Sequence, residues 1–144
     1  RSRFKTSVYL YNQVMITGID HIVLTVDNID KSIFFYRNVL GMTLKKFRPA
    51  VKDAIRYSLN FGNQKINLHD VKFPFTPHAN NPLPGATDIC FLSSLSIEKW
   101  QSIFLKNNII IEDGPVEKTG ATGKILSLYV RDPDKNLIEI SNKI

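Results

Sequence analysis

One cysteine, Cys90, stands among 144 residues, so the chain can build neither an internal disulfide nor a zinc site resting on several thiolates. Such thiol scarcity fits a reducing compartment; the cytoplasm is the expected location, with the mitochondrion as the alternative. Long apolar runs are missing too. None approaches the roughly 18–20 residues that a spanning helix needs, so no membrane partner is expected. Basic residues outnumber acidic ones, 19 to 13, for a formal charge of +6. They are scattered, however, and form no dense block of the kind nucleic-acid binding uses. A solvated basic surface follows, with no nucleic acid as partner, while an anionic small molecule stays open. A phosphate loop is absent as well. In Lys118-Thr119-Gly120-Ala121-Thr122-Gly123-Lys124 the last lysine is followed by Ile125 instead of Ser or Thr, and no glycine stands at the upstream position. Residues 1–14 carry Arg1, Arg3 and Lys5 and no acid, as a flexible leader or tag would. A single domain is expected over residues 15–144.

What the chain does have is 43% hydrophobic residues, enough for one core, and a pattern that occurs twice. The run from Asp20 to Val26 alternates, with Ile22, Leu24 and Val26 on one face and His21, Val23 and Thr25 on the other. Residues 88–92 alternate the same way, so Ile22 corresponds to Ile89, Leu24 to Phe91 and His21 to Asp88. After the first strand, Asp27 or Asn28 can cap a helix to about Leu40 with Ile29, Ile33, Tyr36 and Leu40 as its apolar stripe, stopped by Gly41. After the second, Ser96 can cap a helix to about Asn107 with Ile97, Trp100, Ile103 and Phe104 as core, stopped by Asn108. Strand-like runs follow each helix: 43–47, 56–61 and 64–69, then 109–111, 124–131 and 137–141. The spacing therefore predicts an α+β fold of two βαβββ modules forming a cupped mixed sheet, helices on its outer face. Module one spans 18–72, a Pro-rich linker 73–85 packs its aromatics over the sheet, and module two spans 86–144.

Strand parity then identifies the side chains facing into the cup. His21 lies opposite the apolar row of the first strand and can offer a ring nitrogen to a metal. On the last strand Ile138 and Ile140 point to the core, which turns Glu139 to the cup; a carboxylate there is costly unless paired, protonated or metal-bound. In module one Ile66 and Leu68 take the core side, leaving Asn67, the counterpart of Glu139, and His69 on the other. His21, Asp88, Glu139 and either Asn67 or His69 thus form a mixed N/O set suited to Zn, Ni, Mn, Co or Fe, among which sequence cannot choose. Glu139, His69 and Asp88 are the candidate catalytic groups. Asn67, Arg56 and Lys124 are the candidate substrate contacts, Lys124 from a Gly-containing loop expected to rim the cavity. Arg131 is a strand-end cation, His78 has no expected ligand role, and Cys90 is expected to be an inert buried thiol.

The segments GIDHIVLTVDNIDKSIFFYRNVLGM and RDPDKNLIEIS resemble the opening and closing strands of the vicinal oxygen chelate superfamily, which includes glyoxalase I, methylmalonyl-CoA epimerase, extradiol dioxygenases and bleomycin-resistance proteins. The resemblance covers residues 18–144. It implies that His21 and Glu139 occupy the family's first-strand and last-strand ligand positions, and that a divalent metal chelates two neighbouring oxygens of a small metabolite. Asp88 stands where the family commonly has histidine, which argues against an extradiol dioxygenase. Asn67 stands where glyoxalase I has a glutamate serving as ligand and base, which argues against lactoylglutathione chemistry unless His69 or Asp88 substitutes. The implied function is a metal-dependent lyase, isomerase or epimerase, with a non-catalytic sequestering protein of the bleomycin-resistance type as the alternative. A homodimer is the expected assembly, with module pairing either within one chain or exchanged between two.

Overall fold

The computed structural model describes residues 15–48 and 55–144; the expected leader, 1–14, lies outside them. In chain order the elements are β1 (His21–Val26), α1 (Ile29–Ile33), a π-helical continuation (Phe34–Val39), β2 (Thr43–Phe47), β3 (Arg56–Phe61), β4 (Gln64–Asp70), β5 (Asp88–Leu92), α2 (Ile97–Lys106), β6 (Asp113–Thr119), β7 (Lys124–Arg131) and β8 (Leu137–Lys143). They make two four-stranded mixed sheets of identical topology, β1-β4-β3-β2 and β5-β8-β7-β6. The first and last strands of each module run parallel and the rest antiparallel. This is the α+β arrangement of two βαβββ modules that the repeat predicts. No helix of the described residues is long and apolar enough to cross a membrane.

Local chemistry accounts for the helix ends. The Asn28 side chain accepts the Lys31 N–H at 3.0 Å and that of Ser96 the Lys99 N–H at 3.3 Å, each relieving one orphan donor of a first turn. Past their last turns the chain reverses through Gly41 (φ 80°) and Asn108 (φ 56°), the left-handed conformation these two residue types tolerate.

One expected strand is absent. Residues 109–111 form no ladder, and the strand pairing with β7 is β6, four residues further on. Ile109 and Ile111 still pack against the core while Ile110 is 83% exposed, so their alternation reports burial, not pairing. The true strand was hidden because it is polar, carries Pro115 and lies at the sheet edge. There one backbone face needs no partner and a missing N–H is tolerated, and the register shift between Asp113 and Val116 absorbs the Gly114-Pro115 step. In the linker, Phe75 does pack on the sheet, but Phe73 is 69% exposed.

The decisive tertiary fact is where the core sits. Leu24, Val26, Leu59, Ile66 and Leu68 from the first sheet join Phe91, Leu128, Val130, Ile138 and Ile140 from the second, with Tyr36, Val39, Ile97, Trp100 and Phe104 from the helical segments, in one buried cluster. Phe61 and Phe91 meet edge-to-face across the module boundary, centroids 5.3 Å apart. Both sheets therefore turn their helix-covered faces toward each other, and both cup faces point outward. A buried polar tie fixes this arrangement. The Tyr36 hydroxyl donates to Asp132 Oδ2 at 2.6 Å, while Asp132 also accepts from the Asn136 amide and from the backbone N–H of Asp134 and Asn136. Burial first, and then the Asp132 charge, raise the Tyr36 pKa well above its usual value. Removing the donor alone leaves a buried carboxylate one partner short, so Tyr36→Phe is expected to lower unfolding free energy by about 1–3 kcal/mol, as read by urea denaturation; a loss below a few tenths would show that the tie is not stabilising.

Candidate functional site

The register of the ladders assigns each cup face residue by residue. In module one, β1 and β4 pair His21 with Lys65, Val23 with Asn67 and Thr25 with His69, while β3 sets Ser58 against Asn67. In module two, β5 and β8 pair Asp88 with Leu137, Cys90 with Glu139 and Leu92 with Ser141, while β7 sets Tyr129 against Glu139 and Ser127 against Ser141. Asn67 and Glu139 are thus true structural counterparts, as are His69 and Ser141.

Glu139 is held firmly. Its Oε2 accepts from Ser127 Oγ at 2.6 Å, and Ser141 Oγ lies 2.7 Å from Ser127 and 3.4 Å from the carboxylate. Both serines are fully buried. Hydroxyls so enclosed cannot relax toward water, so they hold the carboxylate in one orientation. Burial first, and then the hydrogen bond and charge of Glu139, push the Tyr129 phenol up to about 12. Cys90, which parity placed on this face, is exposed there instead of buried, with Sγ 3.3 Å from Ser141 Oγ. Burial raises its pKa, an effect the Ser141 hydrogen bond partly opposes; the group is a thiol at neutral pH and a poor nucleophile. Around these groups lies a cavity of about 550 Å³ lined by module-two residues alone, including Lys118, Thr119, Gly120 and Thr122 of the loop before β7. The rim expected from the glycine-containing loop is therefore present. Lys124 lies at the loop's end, loosely paired with Glu117 at 3.9 Å and 73% exposed, and Arg131 is engaged by Glu112 at 2.9 Å.

Module one carries the complementary half. Asp20 Oδ1 lies 2.8 Å from His21 Nδ1, which orients the ring and leaves Nε2 toward solvent; metal-binding histidines usually have their second nitrogen held in this way. The Asn67 side-chain oxygen is buried without a partner. His69 lies edge-on to Phe75, centroids 5.3 Å apart. Burial, then Arg56 and then His78 lower its pKa from the ordinary 6.5. His78 hydrogen-bonds the Ala79 carbonyl and contributes no ligand.

Within one chain the predicted ligands do not converge. Among the described residues no three His, Cys, Asp or Glu side chains gather where a metal could sit. His21 and His69 face out from one sheet, Asp88 and Glu139 from the other. The donor set nevertheless fits a divalent ion as two half-sites: an oriented imidazole and an unsatisfied amide oxygen on one, two carboxylates on the other, one of them clamped. Ser127 and Tyr129 were missed from sequence because only the β7–β8 register reveals that they flank Glu139.

Comparison with known proteins identifies the family and the fold. Residues 18–140 match the family model of the Glyoxalase/Bleomycin resistance protein/Dioxygenase superfamily. Virulence protein STM3117 of Salmonella typhimurium is 48% identical across 92% of this chain and 88% of that protein. Its crystal structure superposes with a TM-score of 0.84, covering 91% of this chain and 100% of that one. Glyoxalase domain-containing protein RDO1 of Mycosarcoma maydis is 45% identical over 90% of this chain and 70% of that protein. A lactoylglutathione lyase structure from Agrobacterium tumefaciens shares the fold at 24% identity, with a TM-score of 0.65 over 90% of this chain and 96% of that one.

The histidine environment makes a direct prediction. In chelator-treated protein the His69 ring should titrate below 6.5 by proton NMR, so that its neutral form stabilises the fold above that value and the contribution is lost as pH falls below it. Phe75→Ala, which uncovers the ring, should move the midpoint upward; a midpoint at or above 6.5 in the parent protein would contradict the burial described here.

Proposed function

Because this chain belongs to the Glyoxalase/Bleomycin resistance protein/Dioxygenase superfamily, we propose that it is a metal-dependent enzyme, a lyase, isomerase or epimerase, acting on a small oxygen-rich metabolite in a cup shared by two copies of the chain. The observation that carries this reading is the pair of outward half-sites at repeat-related positions, His21 with its Asp20 partner on one sheet and Glu139 with its buried serines on the other. Each is prepared as a ligand, and neither has its complement in the same chain.

A second copy supplies that complement. β1 and β5 are open sheet edges, and Val23 and Leu92 on the cup face are 46% and 58% exposed, apolar surface that a partner would cover. With module one of one copy facing module two of the other, His21 and Asn67 come opposite Asp88 and Glu139, and two-fold symmetry generates two equal sites. His21 Nε2 and the Glu139 carboxylate would hold the ion, with Asp88 as a second carboxylate. A divalent ion so held supplies Lewis-acid stabilisation to adjacent substrate oxygens. The chain's own groups do the rest. Asn67 donates a hydrogen bond from its amide N–H to a substrate oxygen. His69, kept neutral near pH 7 by its surroundings, accepts and returns a proton. Lys124, with Lys118, offers positive charge at the rim to an anionic substrate.

Elemental analysis of purified protein, run beside His21→Ala and Glu139→Ala, tests the site. Near-stoichiometric divalent metal is expected in the parent and its loss in both variants. Co-expressing the two variants separates the assemblies. In a shared cup each mixed dimer rebuilds one intact site, so random pairing should restore about a quarter of the parent metal; no restoration would mean that each site lies within one chain. Absence of metal from the parent, with no thermal stabilisation by Zn, Ni, Mn, Co or Fe, would replace the enzyme with a metal-free binding protein.

A further inference from the structure

The two cup faces are related by the internal repeat, yet equivalent positions carry different chemistry. Continuing the register that pairs Tyr57 with Leu68 sets Arg56 across from His69, just as Ser127 stands across from Ser141. Arg56 is therefore the counterpart of Ser127, the hydroxyl that satisfies Glu139. In module one the carboxylate is replaced by Asn67, and the donor that would have served it is a full cation. Among the described residues Arg56 has no ion pair, whereas Arg131 on the other sheet is engaged by Glu112. Its Nε is buried with no acceptor, and its guanidinium lies 3.8 Å from the centre of the Phe75 ring. Its two Nη groups make no hydrogen bond in the described structure. They are also not among the closed-off polar atoms, so they remain open to solvent.

A partly desolvated guanidinium without a counter-charge is costly, and stacking on an aromatic ring offsets that cost only in part while holding the plane rigid. Such a plane, with its fork open, is suited to a bidentate oxyanion. We propose that Arg56, stacked on Phe75, is an oxyanion subsite in the cup that receives a carboxylate or phosphate group of the substrate. The metabolite would then be an acid whose anionic group lies on the module-one wall while its reacting oxygens lie near His21 and Glu139. This inference deepens the shared-cup reading and rests on it for the enclosing walls, but the subsite itself is made only of module-one residues.

The test is a titration of the intact protein with sodium phosphate and, separately, with sodium acetate, following the backbone amide signals of residues 56, 69 and 75 by 15N NMR while metal content is measured in parallel. A saturable shift with either probe, weakened about tenfold or more in Arg56→Met and several-fold in Phe75→Leu, is expected. The probe that binds tighter tells phosphate from carboxylate. Arg56→Lys keeps the charge without the fork and should fall between parent and Arg56→Met; each variant's amide spectrum reports whether it is folded. No saturable shift, or equal affinity in parent and Arg56→Met, meaning an adventitious ion only, would overturn the subsite. Metal binding at His21 and Glu139 would stand or fall separately, since neither residue is altered.

Discussion

Everything about this site follows from the burial of both helix-covered sheet faces in one core. Once Leu59 and Ile66 share an interior with Leu128 and Ile138, the opposite faces of both sheets must look outward, because successive strand residues alternate sides. Apolar burial drives the packing, at roughly 25 cal/mol per Å² of surface removed from water, but it is non-directional. Direction comes from the Tyr36–Asp132 hydrogen bond, whose carboxylate is saturated by the turn that leads into β8. A sliding of one module on the other would strand that buried charge, so the tie specifies one arrangement among several that would bury similar area.

That arrangement separates the two cup faces and gives them different chemistry. Module two presents fixed negative charge, with Glu139 immobilised by hydroxyls that have no access to solvent. Module one presents nitrogen donors and a stacked cation. The internal repeat makes this contrast legible: equivalent positions carry Glu139 and Asn67, Ser141 and His69, Ser127 and Arg56. A duplicated unit that kept its hydrophobic positions while exchanging its cup residues has retained the scaffold and divided the chemistry.

Local order was legible because it depends on nearest neighbours in sequence. Alternation revealed β1, β5 and β8, Asn28 and Ser96 announced the helix starts, and Gly41 and Asn108 the ends. Parity alone assigned His21, Asn67, His69, Asp88 and Glu139 to the cup faces. The failures share a cause. Ile109 and Ile111 alternate like a strand but have no neighbour to pair with, whereas the polar edge strand β6 pairs without alternation worth noticing; pairing is a property of two segments and appears in neither one. Ser127 and Tyr129 escaped notice for the same reason, because their meaning lies in the residues across the ladder from them.

The sequence by itself determined the repeat, the element types and which side chains share a face, all consequences of backbone periodicity and side-chain hydrophobicity. Only the tertiary structure decided that the two cups face away from each other, that Glu139 is clamped by buried serines and that Arg56 lies over the Phe75 ring. Those outcomes depend on strand register and on how two apolar faces close over one core, and distances between residues far apart along the chain are set there and nowhere earlier.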